Sequence, residues 1–132
     1  MTMNLTEIQK RIELDTPQWV HSRLRLEMDP VDSIEQGCAR IAIHFDDHTS
    51  WRSVGDPEQT VAAVADAVQH FICDETGTPW PEVIDDEDRC VGVLGATADT
   101  GRATWFRSGL RVPVGRLHDD LARAGLHVWL TA

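Results

Sequence analysis

Leu5, Ile8 and Ile12 recur at the spacing of one helical face, with Asn4 before them and Glu7 three residues after Asn4. The pattern predicts a capped helix over 5–14. Pro17 ends it, and Val20, Ser22, Leu24, Leu26 and Met28 then alternate with charged neighbours at the two-residue period of a half-buried strand. After an Asp29-Pro30 turn and a polar loop to Gly37, Cys38 to Phe45 sets Ile41, Ile43 and Phe45 on one face of a second strand. Asp46 to Thr49 reads as a turn and Ser50 to Val54 as a short third strand. The strongest punctuation is Asp56-Pro57-Glu58-Gln59, an Asp cap with Pro at the first helical position and Gln at the capping-box site. The stripe Val61, Val64, Ala65, Val68, Phe71 and Ile72 carries that helix for about five turns, until Thr76-Gly77-Thr78-Pro79 stops it. Cys90 to Leu94 and Ala103 to Arg107 flank Gly95 to Gly101 as a predicted hairpin. Leu117, Leu121 and Ala124 then pattern a short helix stopped by Gly125, and Leu126, Val128 and Leu130 alternate in a last strand.

The predicted order is α-β-β-β-α-β-β-α-β. Short turns rather than helical crossovers join consecutive strands, so the expectation is an α+β fold with a mainly antiparallel sheet and helices on one face. At 132 residues the chain has the size of a single α+β domain spanning 1–132, and 42% hydrophobic with 26% charged residues is an ordinary globular composition. Neither a basic, apolar, cleavable leader nor a stretch of membrane-spanning length is visible, so a cytoplasmic protein is expected, without membrane contact. Cys38, Cys73 and Cys90 stand singly, without metal or redox spacing, and read as buried small hydrophobes. Eleven of the twelve basic residues are Arg, which with the Ala, Val and Asp bias suggests a GC-rich bacterial or phage genome.

Charge changes the picture more than composition does. Between Arg52 and Arg89 there is no Lys or Arg, while residues 56–88 hold ten acids, as many as the whole formal net charge of −10. Such a field repels nucleic acid and anionic membranes and attracts a basic surface, so direct nucleic-acid binding is not expected. Five Trp with no Tyr is an unusual proportion, and Trp is favoured both in cores and at binding hot spots. Trp80, between Pro79 and Pro81 beside the acidic segment, is the one expected to be exposed; Trp19, Trp51, Trp105 and Trp129 read as core or half-buried strand residues.

Two resemblances add to this. The element order through the third helix resembles that of small acidic homodimeric secretion chaperones and related bacterial proteins. Trp80, Pro81, Trp105, Val112, Gly115 and Leu117 resemble a Trp-Pro pair, a Trp strand and a Val-x-x-Gly-x-Leu-like segment of small actinobacterial proteins. This covers about a quarter of the chain, departs from that group in lacking the Cys and His that follow the Trp-Pro pair, and implies a kind of host rather than an activity.

Candidate chemistry is sparse. His44-Phe45-Asp46-Asp47-His48 crowds metal-type ligands, but a strand sends alternate residues to opposite faces and favours a solvated turn. His70 and Cys73 share a helical face beside Asp74, without an orienting group or oxyanion site to make a catalytic pair. His118-Asp119-Asp120 suits the positive end of a helix. Asp99-Thr100-Gly101 spells the aspartic-protease triplet but falls at a predicted hairpin tip. The acidic stretch 82–88 lacks the spaced oxygens and central Gly of a calcium loop, and no cofactor motif occurs. No metal or cofactor is therefore assigned. The leading expectation is a non-catalytic acidic interaction module, of chaperone, immunity or inhibitor type, that binds a basic partner through 74–88. Its contacts would be Trp80, Glu82, Asp85, Asp86, Glu87 and Asp88. The alternatives are a phage-type nucleic-acid mimic that inhibits a DNA-binding protein, and a small metal-dependent enzyme. A homodimer is the default assembly, because an uncovered sheet edge or apolar face is often completed by symmetry.

Overall fold

In a computed structural model describing residues 4–28, 39–46, 48–99 and 101–129, the Asn4 side chain accepts the Glu7 N–H at 2.9 Å and starts α1 (Leu5–Glu13). The predicted Asp29-Pro30 turn, the loop to Gly37, and the readings at Cys38, Asp47, Thr100 and Leu130 lie outside the described residues. Ile8 and Ile12 are fully buried, as the helical spacing requires.

Residues 20 and 21, predicted as the start of a strand, are helical instead: α2 (Gln18–His21) is a single turn capped by Ser22, and the strand β1 (Leu24–Met28) begins after it. Pro17 preorganises that turn, and its carbonyl accepts the Val20 N–H at 3.0 Å. Val20 and Leu24, both buried, stand four apart, a spacing that fits either period, so the pattern alone did not separate turn from strand.

β2 (Ala39–Phe45) and β3 (His48–Val54) complete an antiparallel sheet in the order β1-β2-β3, with Phe45 opposite His48. Ile41, Ile43 and Phe45 face the core. α3 (Pro57–Thr76) begins as predicted, with Asp56 accepting the Gln59 N–H at 2.8 Å; the Gln59 side chain accepts the Gly55 N–H at 2.8 Å. It ends at Gly77, whose left-handed φ of 69° is accessible to glycine at little cost. Val61, Val64, Val68 and Ile72 are completely buried, each contributing about 1.5–3 kcal/mol of transfer free energy.

After α3 the pairing departs from expectation. β5 (Cys90–Val93) pairs with β4 (Glu82–Ile84) rather than with the 103–107 segment, and β9 (His127–Val128) lies on the other side of β4. The hairpin consists of β6 (Gly95–Asp99) and β7 (Arg102–Arg107), with Asp99 opposite Arg102 and Gly101 at φ 78° in the turn. β8 (Leu110–Pro113), which has no counterpart in the predicted order, pairs with β7 and sets Val112 against Trp105. Gly-Ala-Thr-Ala carries little hydrophobic signal, yet its small Ala96 and Ala98 let α3 pack onto β6. α4 (Leu117–Arg123) buries Leu117 and Leu121. The fold is α+β and all described pairings are antiparallel, but the strands form three three-stranded sheets rather than one. A continuous core from Ile8 to Val128 joins them.

Candidate functional site

Trp80, the residue expected to be exposed, is only 2% accessible; its ring meets Trp105 edge-on at 5.5 Å. It is a core residue, because the chain turns inward after Gly77 and buries Trp80, Pro81, Val83 and Ile84 together. The expectation for the other Trp residues holds for Trp105, which is fully buried, and for partly buried Trp19, but is corrected for Trp51 and Trp129, which are 55% and 47% exposed, Trp51 lying on the outer face of the β1-β2-β3 sheet. Cys90 is exposed rather than buried and Cys73 is half-buried.

The acidic stretch also divides. Glu82 is a half-buried strand residue. Asp85 organises its own loop: one oxygen accepts the N–H groups of Glu87 and Arg89, both at 2.9 Å, and the other accepts Arg89 Nε at 3.1 Å. Those contacts, the Arg89 N–H foremost, hold the Asp85 carboxyl below the usual carboxylate range. Asp86, Glu87 and Asp88 remain exposed, with Glu87 3.1 Å from Arg89 Nη2.

The two histidine clusters are each split by the structure. His44 and His48 lie on opposite faces of the sheet: His44 Nδ1 is 2.8 Å from Thr49 Oγ1, whereas His48 stands opposite Phe45 on the inner side. Cys73 directs its thiol to the Trp80 carbonyl at 3.7 Å, while His70 is exposed, with Nδ1 2.8 Å from the Asp66 carbonyl. Among the described residues no three His, Cys, Asp or Glu side chains are placed to hold a metal ion. His118 lies in the first turn of α4, and Asp99 is the last residue of β6, next to the turn of the β6–β7 hairpin.

What the fold does bring together is one histidine of each cluster, with Asp46 and Asp74 beside them. The inner row of β3 (His48, Ser50 and Arg52) faces the α3 positions Ala67, His70, Phe71, Asp74 and Glu75 across a cleft of about 280 Å³. Spacings of three and four put those α3 residues on one helical face, and the two-residue period does the same on β3. Stacked rings of Phe45 and Phe71, 4.2 Å apart, line the cleft. At one end Arg52 pairs with Asp66 at 3.1 Å. At the other Arg23 lies 4.9 Å from the Phe71 centroid, donates to Asp46 through Nε at 2.8 Å, and reaches Glu75 at 3.5 Å. Asp46 makes that contact from a left-handed turn position, φ 53°, a conformation Asp tolerates better than most residues. Asp74 lines the same cleft, exposed, and among the described residues no ion pair engages it.

Sequence reasoning missed Arg52, Phe71 and Glu75 as members of one site. A usable signal existed: the core-facing row of β3 turns polar at His48, Ser50 and Arg52, where a strand covered by the core would stay apolar. Comparisons with family models, with curated proteins and with solved structures find no match.

Proposed function

We propose that the protein is a non-catalytic interaction module for a basic partner protein, and that the cleft between α3 and β3 seats a cationic side chain of that partner. The observation that supports this most directly is the exposed Asp74 carboxylate at the cleft, which no ion pair engages among the described residues, beside Asp46 and Glu75, over the Phe45–Phe71 stack. An aromatic lining accepts the aliphatic stem and planar head of an arginine, and carboxylates hold its charge with hydrogen bonds of the stronger, ion-assisted kind. Exposed Asp86, Glu87 and Asp88 extend the acidic character of the 74–88 segment, whereas Trp80 acts from the core and Asp85 from within its loop. Titration with an arginine-rich peptide by calorimetry tests the reading. The expected outcome is saturable binding that weakens with salt and falls about tenfold in Asp74→Lys, since one charged hydrogen bond is worth about 1.5–3 kcal/mol. Equal affinity for wild type and Asp74→Lys would sink it.

A further inference from the structure

A second concavity, separate from the acidic cleft, lies where the end of α1, the start of α4 and the C-terminal strand meet. It encloses about 170 Å³, and its lining includes Asp15, Pro17, Trp80, His118 and Trp129. Trp129 forms its exposed side and Trp80 a buried one. Asp15 is 1% exposed. One of its oxygens accepts Trp105 Nε1 at 2.8 Å and the Gly115 N–H at 2.6 Å; the other accepts the Leu117 N–H at 3.0 Å. That ring of donors complements an ionised carboxylate. Among the described residues no Lys or Arg pairs with Asp15; His118 lies beside it, its ring Nε2 3.0 Å from the Asp15 carbonyl. A carboxylate withdrawn from water is costly when no opposite charge accompanies it.

We propose that this crevice is a binding site for a small quaternary ammonium group, held between the indoles of Trp80 and Trp129 against the negative charge of Asp15. Indole faces attract a cation through their quadrupole, and the methyl groups of a quaternary ammonium need no hydrogen-bond acceptors, so the occupied Asp15 oxygens are no obstacle. The ion supplies the charge that Asp15 lacks without competing for its three N–H donors. A trimethylammonium group fits a space of this size; the same chemistry is offered by free choline, by a phosphocholine headgroup and by trimethyllysine in a peptide.

The test follows the indole N–H resonances in a two-dimensional NMR titration of the intact protein with tetramethylammonium chloride. 3,3-Dimethylbutanol, a neutral compound with a head of the same shape, is the control. Saturable shifts at Trp129 with the cation and none with the alcohol are expected. Because Trp129 is half-exposed, Trp129→Leu keeps the fold and should weaken cation binding about tenfold, the scale of one desolvated cation–π contact. Parallel titrations with choline, phosphocholine and a trimethyllysine peptide identify the source by which binds most tightly. Equal shifts with the alcohol would make the crevice an apolar pocket only; unchanged affinity in Trp129→Leu, or no saturable shift with any cation, would overturn the proposal.

Discussion

Asp15 does the work of a helix cap from about a hundred residues away. The Arg116 side chain offers no cap to α4, and the Leu117 N–H goes to Asp15 instead, together with the Gly115 N–H and the Trp105 indole. Three separate parts of the C-terminal half thereby hang on one carboxylate. Asp15→Asn keeps the shape but turns one acceptor into an amide that points hydrogens at N–H donors. The expected loss is about 2–4 kcal/mol of unfolding free energy in urea denaturation, the scale of leaving buried donors unsatisfied; a change below about 0.5 kcal/mol would show that the network carries no stability. Burial pushes the Asp15 carboxyl above its ordinary value of 3.8, against the pull of its N–H partners. The part of stability linked to its protonation is therefore fully present below that pH and is lost as pH rises through the folded-state value, while the three N–H contacts remain.

Among the elements, α3 is held at its first turn by a group with the opposite pH sign. Glu58 accepts from the two terminal nitrogens of Arg11, Nη1 and Nη2, at 2.7 and 2.9 Å, and from the Ala103 N–H at 2.9 Å, while Arg11 Nε donates to the Val114 carbonyl at 2.6 Å. α1, α3, β7 and the end of β8 thus meet at one bidentate pair. The Arg11 guanidinium first, with the Ala103 N–H, holds the Glu58 carboxyl below its ordinary value of 4.5. Its stabilisation is present above pH 4.5 and is lost as pH falls through the lowered value. Glu58→Gln should cost about 1–2 kcal/mol at neutral pH, allowing for solvent screening of a partly exposed pair, and should flatten the acid limb of a stability-against-pH curve. A variant curve parallel to the wild type would refute the linkage.

Across the whole molecule, a net charge of −10 carried by residues 56–88 means self-repulsion that screening relieves. The melting temperature should therefore rise between low salt and about 0.15 M sodium chloride, near where the Debye length falls to about 8 Å; calorimetry finding a fall would mean that attractive pairs such as Arg11–Glu58 outweigh the repulsion. That charge segregation was legible in the sequence, as were the capped α1 and α3, the core row Ile41, Ile43 and Phe45, and an antiparallel α+β class. These are decided within a few residues, by capping geometry and by the match of hydrophobic period to backbone period. The partners of β4, β5 and β6 were not legible, because short strands such as Gly-Ala-Thr-Ala are selected by what packs on them, here α3. Nor was the site. His48 and His70 looked like members of two local clusters, and only the packing of α3 on β3 moved both into one cleft and left His44 and Cys73 outside it. The same holds for Trp80 and Asp15: sequence fixes their chemistry, but burial and hydrogen-bond partners belong to contacts far apart in the chain, which only the folded packing can choose.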